Sequence, residues 1–183
     1  MDPLAIIYQY YQPEWTLTRK LITHSRAVRD KALSIARRFA DVKPNLELIA
    51  EAAMLHDIGI IKTRADTIGC NGSLPYICHG VEGRKMLERH GLTPHAMICE
   101  RHVGVGITRN DVQRHRLPLP ARDMVPRTLE ETIICYADKF FSKSNGAGEK
   151  SIEAIIAQLM PYGLDKVRRF EQWRHRFEQG EPF

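Results

Sequence analysis

Long apolar segments are absent from this 183-residue sequence. No run approaches the roughly 20 residues with which a helix crosses a bilayer. The chain begins Met-Asp-Pro, without the basic and apolar regions of a secretory signal peptide. We therefore expect a cytoplasmic protein with no membrane partner.

Cysteine is scarce as well. The four cysteines are spread along the chain, and no two of them form a C-x-x-C pair. Disulfide frameworks are typical of shorter, secreted chains. We therefore expect four reduced thiols, at Cys70, Cys78, Cys99 and Cys135.

The sequence has no concentrated block of basic residues, although 27 Lys and Arg against 22 Asp and Glu give a formal net charge of +5. It also has no RNA-binding signature or aromatic platform, so we expect no specific nucleic-acid partner. The positive balance would still suit an anionic phosphate substrate. A composition of 43% hydrophobic and 27% charged residues indicates a soluble globular protein. The length fits a single domain over residues 1–183.

Alternating strand patterns are missing too, whereas apolar residues recur at helical spacing through most of the chain. The sequence therefore predicts an all-α helical bundle, with a core over about residues 18–144 and C-terminal helices over 151–179. Residues 62–75 and 104–126 are rich in glycine and proline and predict long loops, the second with a short turn of helix after Thr108. The helices are expected at about residues 18–39, 45–58, 76–90, 93–103, 127–144, 151–160 and 164–179.

A few polar residues interrupt the apolar faces of these helices. His24, His56 and Asp138 fall on the apolar stripes of three different helices, and Asp57 directly follows His56. An unpaired buried carboxylate costs several kcal/mol, so an inward Asp needs a cation or hydrogen bonds. Histidines and carboxylates that converge from separate helices form divalent transition-metal sites. Each residue also has a structural interpretation: a hydrogen-bonded core histidine, a polar helix end for Asp57, or an ion pair of Asp138 with Lys139.

The ordered series His24, His56-Asp57, Asp138 resembles the HD-domain metal-dependent phosphohydrolases, in their HDIG-type branch. The central motif is MLHDIG, from residue 54 to residue 59. Three further segments resemble small single-domain members of this group, and the whole match runs from about residue 18 to residue 143. These segments are HGVEGRKML from residue 79, ERHVGVGIT from residue 100 and LEETIICYADK from residue 129.

The resemblance implies a bundle that binds one or two divalent ions, which could be Fe, Mn, Zn, Ni, Co or Mg. It implies one ion at His24, His56, Asp57 and Asp138. It also implies that Asp57 bridges to a second ion held by the extra histidines, His79 and His102. The other four histidines match no motif position, and we interpret them as surface or structural residues: His90, His95, His115 and His175.

The implied activity is the hydrolysis of a phosphate ester, in which Asp57 orients the attacking water and a basic residue stabilises the phosphate charge. Lys62 is the leading basic candidate because it follows the HDIG turn. Arg64, Arg101 and Arg109 are further candidates for binding a small phosphorylated substrate, such as a nucleotide.

Two other functions stay open. One is a di-iron oxygenase of the same fold, because imidazole and carboxylate accept iron as well as zinc or manganese. The other is a metal-bound module that senses a nucleotide without turnover. The charged last helix carries Trp173 and Phe177 four residues apart, so it either caps the domain or pairs with another chain in a homo-oligomer.

Overall fold

Helices dominate the computed structural model, which describes residues 1–39, 41–143 and 148–179. The prediction of an all-α protein is confirmed, and helical residues account for most of the described chain. The α-helices within these residues are α1 (Pro3–Ile7), α2 (Thr16–Ala36), α3 (Leu46–Leu55), α4 (His79–Glu88), α5 (Thr93–Arg101), α6 (Arg109–Arg114), α7 (Leu129–Asp138), α8 (Ile152–Leu159) and α9 (Leu164–Gln179).

Side-chain caps fix the start of several helices. The Asn45 side chain accepts a hydrogen bond from the backbone N–H of Leu48 at the start of α3. Thr128 caps α7 and Ser151 caps α8 in the same way. Each cap satisfies a backbone donor that has no partner inside the helix, which typically stabilises the helix by about 1 kcal/mol.

The segment predicted as a loop over residues 62–75 contains a small sheet, which the sequence interpretation missed. Its strands are β1 (Thr63–Ala65), β2 (Cys70–Asn71) and β3 (Leu74–Pro75). β1 lies in the centre, antiparallel to β2 and parallel to β3. Strands of two or three residues are too short to show an alternating pattern, which explains the miss.

The helices bury two main apolar clusters. One lies among α2, α3, α7, α8 and α9, and the other among α1, α2, the end of α3, α4 and α5. Trp173 and Phe177 of α9 are buried in the first cluster, where Tyr136 stacks on Phe170 with the ring centroids 5.2 Å apart. The structure therefore shows α9 capping the bundle.

None of the described helices combines the length and the apolar character needed to cross a membrane.

Candidate metal centre

Two groups of buried side chains meet between the ends of α3, α4, α5 and α7 and the middle of α2, and they share one residue. The first group contains His24, His56, Asp57 and Asp138, and the second contains Asp57, His79 and His102. Within each group, the nitrogen and oxygen atoms that could bind an ion lie within 4.8 Å of one another. The structure thus brings together all six residues expected to bind metal.

The first group is the tighter of the two. Nε2 of His24 lies 2.9 Å from Oδ1 of Asp138 and 3.2 Å from Oδ2 of Asp57. Nε2 of His56 lies 3.0 Å from Oδ2 of Asp57 and 3.4 Å from Oδ1 of Asp138. Four donor atoms from three separate helical segments therefore face a common point.

The second group uses the other oxygen of Asp57. Nε2 of His79 and Nε2 of His102 each lie 3.4 Å from Oδ1 of Asp57, and they lie 3.2 Å from each other. Asp57 thus directs Oδ2 to the first group and Oδ1 to the second. This is the arrangement of a carboxylate that can bridge two ions.

Backbone carbonyls orient three of the four histidines. Nδ1 of His56, His79 and His102 lies 2.7 Å from the carbonyl oxygen of the residue three positions earlier in each case. Only a protonated Nδ1 can donate to a carbonyl, so Nε2 is the nitrogen of each ring that can bind an ion, and in the neutral ring it carries the lone pair. Such a hydrogen bond commonly fixes the ring of a metal-binding histidine.

The end of α3 explains how His56 and Asp57 reach the same point. α3 ends at Leu55, and Asp57 has φ −105° and ψ 8°, outside the helical region. Gly59 then lets α4 come very close to the turn. A Cβ on residue 59 would lie 2.1 Å from the carbonyl oxygen of His79 and 2.4 Å from the backbone nitrogen of Gly83. The close packing places His79 beside Asp57.

The buried atoms of this cluster fit a metal ion. Asp57 is fully buried, and apart from the ion pair of Oδ2 with Lys143 its carboxylate oxygens have no hydrogen bond of good geometry among the described residues. Nε2 of His56 and Nδ1 of His24 lack one as well. Buried polar atoms without hydrogen bonds are costly, and a divalent ion would bind the first three of these atoms directly. Imidazole and carboxylate donors suit iron, manganese, zinc, cobalt or nickel.

The charged groups of the cluster shift one another's pKa values. Burial opposes ionisation of the Asp57 carboxyl, but His56 and Lys143 hold its pKa well below the usual value. Burial likewise opposes protonation of His56, yet the charge of Asp57 raises the pKa of that imidazole to about 9. Burial lowers the pKa of His79 to about 3, so that ring is neutral.

Two lysines complete the charge balance. Nζ of Lys143 lies 2.6 Å from Oδ2 of Asp57, and Nζ of Lys139 lies 2.8 Å from Oδ2 of Asp138. Asp138 therefore has both the predicted ion pair and the predicted position beside His24. Sequence reasoning missed Lys143, whose only signal is its position five residues after Asp138.

A cleft of about 380 Å³ opens onto the cluster. His79, His102 and Asp138 of the cluster line this cleft, together with Tyr76 and three lysines. The ring centroid of Tyr76 lies 4.7 Å from that of His79. The lysines are Lys139, Lys143 and Lys150. The cleft can thus present positive charge to an anion beside the cluster.

The four basic residues favoured by the sequence lie elsewhere. Lys62, Arg64 and Arg109 have exposed side chains, and none of the three is among the described residues that line the cleft. Arg101 is buried, and its Nη1 lies 2.6 Å from Oε1 of Glu131. A role for these four residues in binding substrate stays a prediction.

The remaining histidines have structural or surface positions. Nε2 of His95 lies 3.0 Å from Oε2 of Glu51, and Nε2 of His90 lies 2.8 Å from the hydroxyl of Tyr10. His115 and His175 are exposed.

The fold and the cluster define this chain as a helical protein whose buried histidines and aspartates can bind metal ions. Comparison with known families identifies the family. The model of the HD domain matches residues 21–142. The chain therefore belongs to the HD-domain family. The narrower HDIG branch stays a prediction.

The curated relatives of this chain include proteins with two different names. The chain is 32% identical, over 76% of its length and 85% of the relative, to the uncharacterized protein MJ0778 of Methanocaldococcus jannaschii. It is 28% identical over 95% of its length to a tRNA (cytidine(56)-2'-O)-methyltransferase of Thermoplasma volcanium, and 37% identical over 59% to one of Picrophilus torridus. It spans only 45% and 28% of those two methyltransferases.

Solved structures with a similar fold include the HD domain of the Listeria monocytogenes phosphodiesterase PgpH. The TM-score is 0.55 for that domain alone and 0.56 for its complex with cyclic-di-AMP, each at 15% identity. The alignments cover 96% and 97% of this chain, and 95% and 94% of the PgpH chains. At this identity, the likeness concerns the fold.

Proposed function

We propose that this protein is a metal-dependent phosphohydrolase, which splits a phosphate ester with water activated at the histidine-aspartate cluster. The observation that carries the proposal is the position of Asp57, whose two oxygens face two separate groups of donors. Membership of the HD-domain family supports it.

The cluster is proposed to hold one or two divalent ions. His24, His56 and Asp138 would hold one ion with Asp57, and His79 and His102 would hold a second with it. Bound ions would lower the pKa of a water molecule toward about 7 and neutralise the charge on phosphate oxygens. The imidazole-rich set favours iron, manganese, zinc, cobalt or nickel over magnesium.

The protein's own residues would position the reactants. Asp57 is buried and held in place by its neighbours, so it can orient a water molecule without rearranging. Lys139 and Lys143 place two ammonium groups at the edge of the cluster, where a phosphate would enter. Charges that are already in position stabilise developing negative charge without further reorganisation.

The proposed substrate is a nucleotide or another small phosphate ester. The HD domain of PgpH binds cyclic-di-AMP, and two relatives carry the name of a tRNA methyltransferase. Both names point to nucleotide chemistry. The described cleft suits a ligand of modest size, and the phosphate at a nucleotide or RNA end is the group it would bind.

The test combines metal analysis with a substrate screen. The purified protein is loaded separately with Fe(II), Mn, Zn, Co, Ni and Mg and incubated with phosphomonoesters, nucleotides, cyclic dinucleotides and RNA ending in a phosphate. The expected result is metal-dependent release of phosphate or cleavage of a phosphodiester, which Asp57→Ala abolishes. Asp30→Ala, which removes an exposed carboxylate beside Arg29, is the control and should retain activity.

Two results would contradict the proposal. Oxygen consumption by the Fe(II) form with a phosphate-free product would identify the di-iron oxygenase. Tight nucleotide binding without turnover with any metal would identify the sensing module.

A further inference from the structure

We propose that Lys143 binds the substrate's phosphate, and that it leaves Asp57 for the phosphate when metal ions occupy the cluster. The inference rests on the proposed function and extends it, because it names the residue that selects an anionic group beside the cluster.

The first observation is the contact itself. Nζ of Lys143 lies 2.6 Å from Oδ2 of Asp57, closer than the imidazole nitrogens of His24 and His56, which lie 3.2 Å and 3.0 Å from the same oxygen. The side chain of Asp57 is fully buried, whereas that of Lys143 is 13% exposed. Lys143 thus neutralises the buried carboxylate from the direction of the cleft.

The second point is that Lys143 and a bound metal ion would compete for the same oxygen of Asp57. Lys143 pairs with the same oxygen that the first group of donors would offer to an ion. A dication at that position and the ammonium group would repel each other at short range, in surroundings with little water to screen them. Metal binding therefore removes the reason for Lys143 to stay on Asp57.

The third observation is where the released ammonium can go. α7 ends at Asp138, so Lys143 lies beyond the helix and lines the cleft with Tyr76 and Lys150. Lys150 already has a hydrogen-bond partner, because its Nζ lies 3.1 Å from the side-chain oxygen of Gln158. An ammonium group with three donors on a flexible stem is suited to a phosphate entering this cleft.

Lys139 differs from Lys143 in this respect. Its Nζ lies 2.8 Å from Oδ2 of Asp138, whereas Oδ1 of that residue faces His24 and His56. Lys139 therefore pairs with an oxygen that the donor group does not use and can stay in place when an ion binds. Of these two lysines, Lys143 is the one whose partner oxygen would also bind the metal ion.

The metal-binding part is tested by isothermal titration of metal-free protein with Mn and with Zn. Replacing Lys143 with Met removes the competing charge, so the variant should bind the metal on the order of tenfold more tightly than the wild type. Lys143→Arg keeps a positive charge and should bind within a few-fold of the wild type. Lys85→Met, which removes an exposed charge paired with Glu82, controls for net charge and should leave the affinity unchanged.

The phosphate part uses inorganic phosphate and the metal-loaded protein. Lys143→Met should weaken phosphate binding at least about tenfold, although it strengthens metal binding, while Lys85→Met should not change it. These opposite effects separate a phosphate-binding lysine from one that only stabilises the fold.

A measurement on the wild type covers the case in which Lys143→Met fails to fold without metal. Reductive methylation of lysines, read by mass spectrometry, should label Lys143 slowly in the metal-free protein, faster after metal loading and slowly again with added phosphate. Labelling of Lys143 that is unaffected by metal and phosphate would overturn the inference.

The two proposals can fail separately. If metal and phosphate bind as described but no ester is turned over, the hydrolase proposal fails and the role of Lys143 stands. If esters are hydrolysed but Lys143→Met binds phosphate as tightly as the wild type, the role of Lys143 is overturned and the hydrolase proposal stands.

Discussion

Oδ2 of Asp57 lies 3.0 Å from Nε2 of His56, the residue directly before it in the chain. Neighbouring side chains on a continuous helix point about 100° apart, so this contact requires the helix to end. α3 does end at Leu55, and the following turn directs both side chains to one point. The His-Asp pair therefore supplies two donors from a single bend of the backbone.

Asp57 is the residue on which both donor groups depend. In Asp57→Ala, each group loses a donor atom and Lys143 loses its partner. We expect metal content to fall to less than one ion per chain, and kcat/KM to fall by at least about 100-fold. Elemental analysis and an activity assay measure the two effects, with circular dichroism to verify the helical fold. Full activity in this variant would remove the basis of the assignment.

His79 and His102 belong to the second group alone. Replacing either residue with Ala should remove about one ion per chain and leave the first group able to bind the other. His90→Gln is a suitable control, because His90 contacts Tyr10 and lies in neither group. Metal content that is unchanged in both alanine variants would show that the centre binds a single ion.

Much of this centre could be predicted from the sequence because its residues are polar side chains on otherwise apolar helix faces. His24 and Asp138 lie on apolar helix faces, and a polar residue on such a face requires a partner. The resemblance to HD-domain proteins then added His79 and His102. All six residues lie together in the structure.

The cations beside the centre could not be predicted in the same way. Lys143 lies beyond the end of α7, where helical periodicity gives no direction for its side chain. Lys62 is the leading candidate from the sequence because it follows the HDIG turn, yet its side chain is exposed. The small sheet could not be predicted either, because its strands of two or three residues are too short to show an alternating pattern.

Gly59 should be intolerant of even one added methyl group. In Gly59→Ala, the new Cβ would meet backbone atoms of His79 and Gly83, which cannot rotate away. We expect a loss of about 1–3 kcal/mol in the free energy of unfolding, and weaker metal binding because α4 and His79 must shift. Urea denaturation and metal titration measure the two effects. The matched control is Gly148→Ala, where a Cβ would have no neighbour within 4 Å among the described residues, and a similar loss in both variants would contradict this account.

The pair Asp111–Lys166 joins α6 to α9 and should make stability depend on pH. Oδ2 of Asp111 lies 2.5 Å from Nζ of Lys166 and also accepts hydrogen bonds from the backbone N–H and the hydroxyl of Thr108. Partial burial opposes ionisation of the Asp111 carboxyl, but the hydrogen bond from Lys166 and those from Thr108 lower its pKa below the usual value. Because the pKa is lower in the folded than in the unfolded protein, the carboxylate stabilises the fold above the unfolded pKa of about 3.9.

Asp111→Asn should therefore reduce the free energy of unfolding by about 1–2 kcal/mol at pH 7. As the pH falls below about 4, the wild type binds the proton that the variant cannot bind, so the difference between them should shrink and then vanish. Urea denaturation at pH 7, 5, 4 and 3 measures the trend. Asp165→Asn is the control, because Asp165 also lies near Lys166 but is largely exposed, and it should change stability by less than about 0.5 kcal/mol at each pH. A deficit in Asp111→Asn that stays constant from pH 7 to pH 3 would mean that the carboxylate charge does not stabilise the junction of α6 and α9.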